Sequence, residues 1–407
     1  MYCVALGRRP EVLGKLKELG YSTIVIIDKS VAAPDAELCD FIHQVDDISD
    51  YESVSSVLQP YFNRFTVHAV IAPGEKSILT AAKIREEFGI PGRGVEISEK
   101  LRDKYCMKKS IAAKGIKTSE FTAVTNFNDG IVFLSKMLDQ GKKAIVKPRI
   151  GAGTIEVKLL SDVEDWIRYF DHYLECRNKP HFREGMIMEE YILGEEYHVD
   201  SVIQDNQVIF SHAGKYPHNI LGFEQHKFGG SIALSNQSDI FKVLKAFNKN
   251  VIESLKVEYG VTHMECFITK EYDIVFGEIA IRVAGSSIPE NLLKQTKVDL
   301  FDAFVRVECF LPYIAETEYA SNLFGFTHIP IYKEGRVKNL IKEEELTMIE
   351  GVYKVHYNIQ TGDTVGMGKL SHDKLGDVFI YGKDLEAVYQ TILQIHSMTL
   401  VQIDPAI

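Results

Sequence analysis

The chain has 407 residues, 45% of them hydrophobic and 25% charged, with a formal net charge of −11. That length supports two or three domains with cores of their own, and the acidic balance argues against nucleic acid as the main partner while leaving room for a nucleotide in a locally basic cleft. Six scattered cysteines (Cys3, Cys39, Cys106, Cys176, Cys266 and Cys309) make no CxxC pair and no zinc-like spacing. Together with the lack of any apolar run near the roughly 20 residues of a membrane span, and of a signal peptide, this points to a cytoplasmic protein with reduced thiols.

Residues 1–94 alternate strands and helices. Tyr2–Leu6 reads as a strand, Pro10–Leu19 as a helix, and Thr23–Ile27 as a second strand ending at Asp28. Val67–Ile71 is a third strand and Lys76–Phe88 a further helix, the pattern of a small doubly wound α/β domain. Gly7 and Asp28 invite a dinucleotide-binding reading, but the fingerprint needs three glycines and only Gly7 is present. An NAD-dependent oxidoreductase is therefore disfavoured, and Asp28 reads as a strand-end cap.

Residues 95–193 form the next unit. Ser98–Lys114 reads as a helix capped by Ser98, stopped by Gly115 and carrying Lys104, Lys108 and Lys109. In KAIVKPRIGAGTIEVKLL, the buried strand Ala144–Val146 runs into Lys147-Pro148, a flexible turn covers Gly151, Ala152, Gly153 and Thr154, and Ile155–Leu160 returns. Two glycines let the backbone approach a ligand, and successive N–H groups suit phosphate oxygens. GAG alone is a common hairpin turn; the lysine ending the preceding strand favours phosphate. No GxxxxGK[ST] run exists, so this is not a P-loop. The strand Met186–Ile192 leads into the alternating run Glu195–Ile203, and Glu189, Glu190, Glu195 and Glu196 crowd the junction. Their apolar flanks favour at least one glutamate as an acceptor for a ligand.

Residues 194–319 contain THMECFITKEYDIVFGEIAIRVAGS, read as a hairpin of strands Thr262–Ile268 and Asp273–Val283. With an even loop, Glu265 lies opposite Phe276 and Glu278 opposite His263, which puts Glu265, Glu278 and Arg282 on one face. Diagonal carboxylates at about 7–8 Å could be bridged by hard cations such as Mg²⁺. A solvated face with an Arg–Glu pair explains the same residues. Alternation turns Cys266 to the opposite face as core packing. Residues 320–407 read as a separate α/β lobe, with a hairpin turning at Glu334-Gly335 and a final helix Leu385–Met398 whose apolar stripe is packing.

Lys104, Lys147-Pro148 with its glycine loop, MEEYILGEE and ME…GEIAIR stand in the order and spacing of the ATP-grasp superfamily. The chain resembles its L-amino acid ligases, D-alanine–D-alanine ligase and biotin carboxylase, over nearly its whole length. The resemblance implies an ATP-grasp fold, α/β with an α+β ATP-binding part, organised as 1–94, 95–193, 194–319 and 320–407. It implies that Lys104 and Lys147 hold ATP phosphates and that Gly151, Gly153 and Thr154 belong to a mobile closing loop. Glu189, Tyr191 and Ile192 then match the adenine hinge, Glu196 the ribose acceptor, Glu265 and Glu278 the ligands of Mg²⁺ (with Mn²⁺ as an alternative), and Arg282 the following arginine. Many members carry Asn where this chain has Ala280, which removes one oxygen ligand.

The implied chemistry is activation of a small-molecule carboxylate as an acyl phosphate, then transfer to an amine, with a carrier-protein thiol or a non-catalytic ATP-binding module as alternatives. His212, Lys215, His218 and His226 could line the acceptor pocket, and Ser286 is placed to contact the acyl phosphate. Relatives are often dimers, so a homodimer is an expectation too; nucleic acid and membrane are not expected partners.

Overall fold

A computed structural model describes residues 1–222, 228–367 and 373–404. His226 lies outside them.

The first domain is a four-stranded parallel sheet in the order Phe41–Val45, Ser22–Asp28, Tyr2–Leu6, Val67–Ile71. Its inner strands are near-continuous apolar runs because helices cover both faces. Phe41–Val45 is an addition to the sequence reading: as an edge strand with only Val45 buried, FIHQV carries no clear apolar period. The strands' carboxyl ends release Gly7–Arg9, Asp28 and Pro73–Ser77 toward one cavity, the usual ligand end of an open α/β sheet.

The expected helix from Ser98 is two helices, Val95–Lys100 and Lys104–Ala112. Asp103, not Ser98, is the decisive cap: its carboxylate accepts the Tyr105 and Cys106 N–H groups at 2.9 and 3.1 Å. The break aims Lys104 at the glycine loop. Next comes an antiparallel sheet ordered Phe121–Val124, Met186–Glu190, Ala144–Pro148, Lys158–Leu160, packed on a core around Trp166.

The largest sheet has eight strands: Ile274–Ala280, Gly260–Thr269, Gly194–Gln204, Gln207–Lys215, Gly230–Ala233, Leu323–Pro330, Lys374–Gly382 and Val352–Tyr357. It runs unbroken across residue 320, so the C-terminal part shares a sheet with the hairpin that carries Glu265 and Glu278 instead of standing apart. The expected hairpin at Glu334-Gly335 does not form. Leu323–Pro330 belongs to the large sheet, while Gly335–Leu340 pairs with Thr364–Val365 and Val401–Asp404 in a three-stranded sheet. Gly335 has φ +144, and a Cβ there would meet the Asp404 carbonyl oxygen at 2.0 Å; the glycine serves close strand approach, not a turn. Val388, Ile392 and Ile395 of the last helix are fully buried, as its stripe requires. Among the described residues no helix is long and apolar enough to cross a membrane.

Candidate active site

The hairpin places its carboxylates by a register change. Ile268↔Ile274, Phe267↔Val275 and Cys266↔Phe276 set the pairing near the turn, which alone would put Glu278 on the face opposite Glu265. A bulge then takes up Gly277, and beyond it Glu265 lies directly across from Glu278 and His263 across from Ala280. The expected pairing of Glu265 with Phe276 is thus corrected, while the shared face is kept. Gly277 is needed there because a Cβ would meet the Glu265 carbonyl oxygen at 2.9 Å. Cys266 is fully buried in the core on the other face. The strand itself stops at Ala280, so Arg282 follows it in a bend.

Three lysines gather over these carboxylates. Lys104 Nζ donates to the Gly151 carbonyl at 2.7 Å and stands 3.6 Å from Glu278. Lys147 lies 3.1 Å from Glu189 and 3.5 Å from Glu278. Lys108, almost wholly buried, lies 3.1 Å from Glu189 and donates to the Ser119 hydroxyl. Burial would raise the Glu278 carboxyl, but Lys104, Lys147 and Lys108 hold it down to about 2. Burial likewise opposes the charge on Lys147, yet Glu189 and Glu278 raise its pKa above the usual lysine value. Both groups are therefore ionised at neutral pH.

Two chambers meet here. The narrower, about 120 Å³, is lined by the three lysines, Gly151–Ile155, Glu189–Ile192, Glu196 and the aromatic ring of Phe267. Its donors and glycine backbone suit a triphosphate, and its apolar walls suit a base. Glu196 accepts the Ile220 N–H at 2.6 Å; burial, with Glu265 close by, holds its carboxyl well above the usual range. The Tyr191 N–H is taken by the Lys143 carbonyl, so that donor does not read a base. Glu189 faces Lys108 and Lys147, and so orients both. The wider chamber, about 710 Å³, opens between the first domain and the large sheet and is lined by Arg9, Glu75, Arg282, Ser286 and His328 among others. Ala152, Gly153, Thr154, Glu265 and Glu278 line both.

Of the other expected residues, Ser286 and His218 line the wide chamber. Lys215 lies on a neighbouring surface cleft, paired with Glu195. His212 lines neither chamber; it is buried with its ring 5.3 Å from Phe241. Four residues take places that the sequence does not announce. Glu75 accepts from Arg282 Nε at 2.7 Å and anchors it across the chamber; its signal was its place in a loop at the carboxyl end of a parallel strand. Lys108 was seen only as one of three helical lysines. Asp200 and His263, hydrogen-bonded at 2.9 Å, lie beneath Glu265, with His263 Nε2 3.4 Å from its carboxylate. No motif marks them.

A hard divalent cation fits between Glu265 and Glu278: both offer oxygen, both face a phosphate-sized chamber, and such ions take one or two carboxylates plus phosphate oxygens. Ala280 contributes no ligand.

The ATP-grasp domain model matches residues 141–290. The L-arginine-specific L-amino acid ligase of Bacillus subtilis is 25% identical over 84% of this chain and 82% of its own length. Dapdiamide A synthase of Enterobacter agglomerans is 26% identical over 77% of this chain and 73% of its own. Alanine–anticapsin ligase of Bacillus subtilis is 28% identical over 71% of this chain but 65% of its own, so the chain spans just under two thirds of that relative. The L-amino acid ligase of Bacillus licheniformis superposes with a TM-score of 0.78 at 16% identity, covering 100% of this chain and 99% of that one. A carboxyaminoimidazole ribonucleotide synthase from Aspergillus clavatus, solved with ATP, reaches 0.71 at 14% identity over 97% of each chain. With the domain model spanning Lys147, the glycine loop, Glu265, Glu278 and Arg282, and the fold matched from end to end, residues 141–290 are an ATP-grasp domain and the chain is an ADP-forming ligase.

Proposed function

We propose that this protein activates the carboxylate of a small molecule, an amino acid, with ATP and joins it to the amine of a second, releasing ADP and phosphate. The observation that carries this is the common wall of the two chambers: a γ-phosphate entering from the lysine side and a carboxylate entering from the Arg282 side meet at Glu265 and Glu278. Two relatives are named as ligases of an amino acid, one for L-arginine and one for alanine, which favours an amine over a thiol as acceptor.

The substrate carboxylate attacks the γ-phosphorus, and charge spreads over the transferring oxygens. Lys147 and Lys104, preset by Glu189 and the Gly151 carbonyl, face that charge from the nucleotide side, and Arg282, preset by Glu75, faces it from the other. Mg²⁺ held by Glu265 and Glu278 would neutralise phosphate charge. Ala152, Gly153 and Thr154 border both chambers, so closure of their loop over them would exclude water from the acyl phosphate. An amine then displaces phosphate. ATP supply and six free thiols go with a cytoplasmic setting.

ADP release from Mg·ATP is measured with an equimolar mixture of the proteinogenic L-amino acids. Release should depend on the mixture and fall about 10²–10³-fold in Lys147→Ala, the loss typical of one preorganised donor. ATP binding without such release would overturn the amine-ligase reading.

A further inference from the structure

Resting on the amine-ligase reading, we infer that His328 is the general base that takes a proton from the acceptor ammonium, with Asp377 as its positioning residue. His328 sits on Leu323–Pro330, faces the wide chamber, and is only 6% exposed. Its Nδ1–H donates to Asp377 Oδ1 at 2.7 Å from the adjacent strand. That bond fixes the tautomer and leaves Nε2 as the acceptor, the arrangement a base needs.

The surroundings keep Nε2 receptive. Lys374 Nζ donates to Ser286 Oγ at 2.7 Å, and that hydroxyl in turn donates to His328 Nε2 over 3.4 Å. Such a long contact is readily replaced by an incoming N–H. Lys374 also pairs with Asp377 at 2.6 Å, and Ser287 Oγ donates to the other Asp377 oxygen at 2.9 Å, so the aspartate is held from three sides. Ser286 adopts φ +54, a left-handed conformation that a non-glycine residue holds only when its surroundings impose it, as at functional sites. Burial, with Lys374 nearby, keeps the imidazole pKa below its ordinary value despite Asp377, so the ring is neutral at pH 7. Among the described residues, Asp377 and Ser286 meet the two ring nitrogens and Lys374 is bonded to both of those residues, and a serine hydroxyl is too weak an acid to protonate Nε2.

The step balances. His328 Nε2 takes one proton from the acceptor ammonium. The freed lone pair attacks the acyl carbon, the N–C bond forms, and the C–O bond to phosphate breaks with its electron pair on phosphate. The second amine proton leaves with phosphate as hydrogen phosphate, and His328 returns its proton to solvent.

Hydroxylamine is already unprotonated near neutral pH and needs no base. Wild type, His328→Gln and Asp377→Asn are each given Mg·ATP and the amino-acid mixture, with and without hydroxylamine, and amide and hydroxamate are counted by mass spectrometry. The amide-to-hydroxamate ratio should fall at least about 10²-fold in His328→Gln, the lower end of general-base effects, and less in Asp377→Asn. An unchanged ratio, including a parallel loss of both products, overturns the base assignment. Wild type that forms hydroxamate but no amide overturns the amine-ligase reading itself, and the inference with it.

Discussion

The wide chamber carries two buried histidine–aspartate pairs that end in opposite charge states. His263 shares Asp200 with His198 and stands 3.4 Å from Glu265. Burial alone would lower its pKa, but Asp200 and then Glu265 bring it up to about 9. His328 has the same kind of partner in Asp377, yet Lys374 stands beside that aspartate, and burial keeps the ring neutral. The carboxylate partner is common to both; the neighbour beyond it decides the role. An anion at the far side makes His263 a cation that holds the Glu265 carboxylate, the proposed metal ligand, in place. A cation at the far side leaves His328 an acceptor.

Under the proposed function the two pairs serve different half-reactions, and substitutions should separate them. The largest effect is expected at the shared wall. Glu278→Gln removes a metal ligand and the charge that balances Lys104 and Lys147. ADP formation should drop about 10³-fold, the upper end for loss of a charged transition-state group, with hydroxamate and amide falling together. Hydroxamate formation that survived while amide was lost would place Glu278 on the acceptor side and break the division.

His263→Gln tests the cationic pair more gently. Glutamine can still donate toward Glu265 but carries no charge, and residues behind a metal ligand typically alter metal affinity 10–100-fold. The Mg²⁺ concentration for half-maximal ADP formation should rise at least about tenfold, and the amide-to-hydroxamate ratio should stay at its wild-type value. Unaltered Mg²⁺ dependence together with a changed ratio would mean that His263 serves the acceptor, and the two pairs would not be divided as described.

How much of this was legible in the sequence follows from the physics of each part. Inner parallel strands and the last helix announce themselves because burial imposes an apolar period, as at Ser22–Asp28 and Val388–Ile395. That Lys147, the glycine loop, Glu265, Glu278 and Arg282 gather around one pair of chambers was legible because their residue types stand at short, patterned spacings. The hairpin register was not, since one bulged glycine shifts every residue beyond it and leaves no compositional trace. Neither were Glu75, His263 and His328, whose partners lie 207, 63 and 49 positions away. The break before Lys104 was missed because Ser98 and Asp103 are both good caps, and only the tertiary setting chose the second.

Another buried histidine, with no aspartate bonded to it, sharpens the contrast at the smallest scale. Neither ring nitrogen of His212 finds a hydrogen-bond partner among the described residues. Burial, with His198 adding to it and Asp200 opposing, lowers its pKa to about 3. The unfolded chain, with an ordinary histidine near 6.5, therefore binds one more proton than the folded chain across that window. Stability is intact above pH 6.5 and falls as the pH drops from there toward 3, by at most about 1.4 kcal/mol per pH unit. His212→Phe removes the titrating ring and keeps an aromatic between Phe241 and Tyr319. Urea midpoints followed from pH 7.5 to 5 should therefore decline less steeply in the variant. Equal declines in both proteins would show that the wild-type ring is hydrated or paired in solution, and a histidine without its own acid would then not be the neutral limit against which His263 and His328 are set.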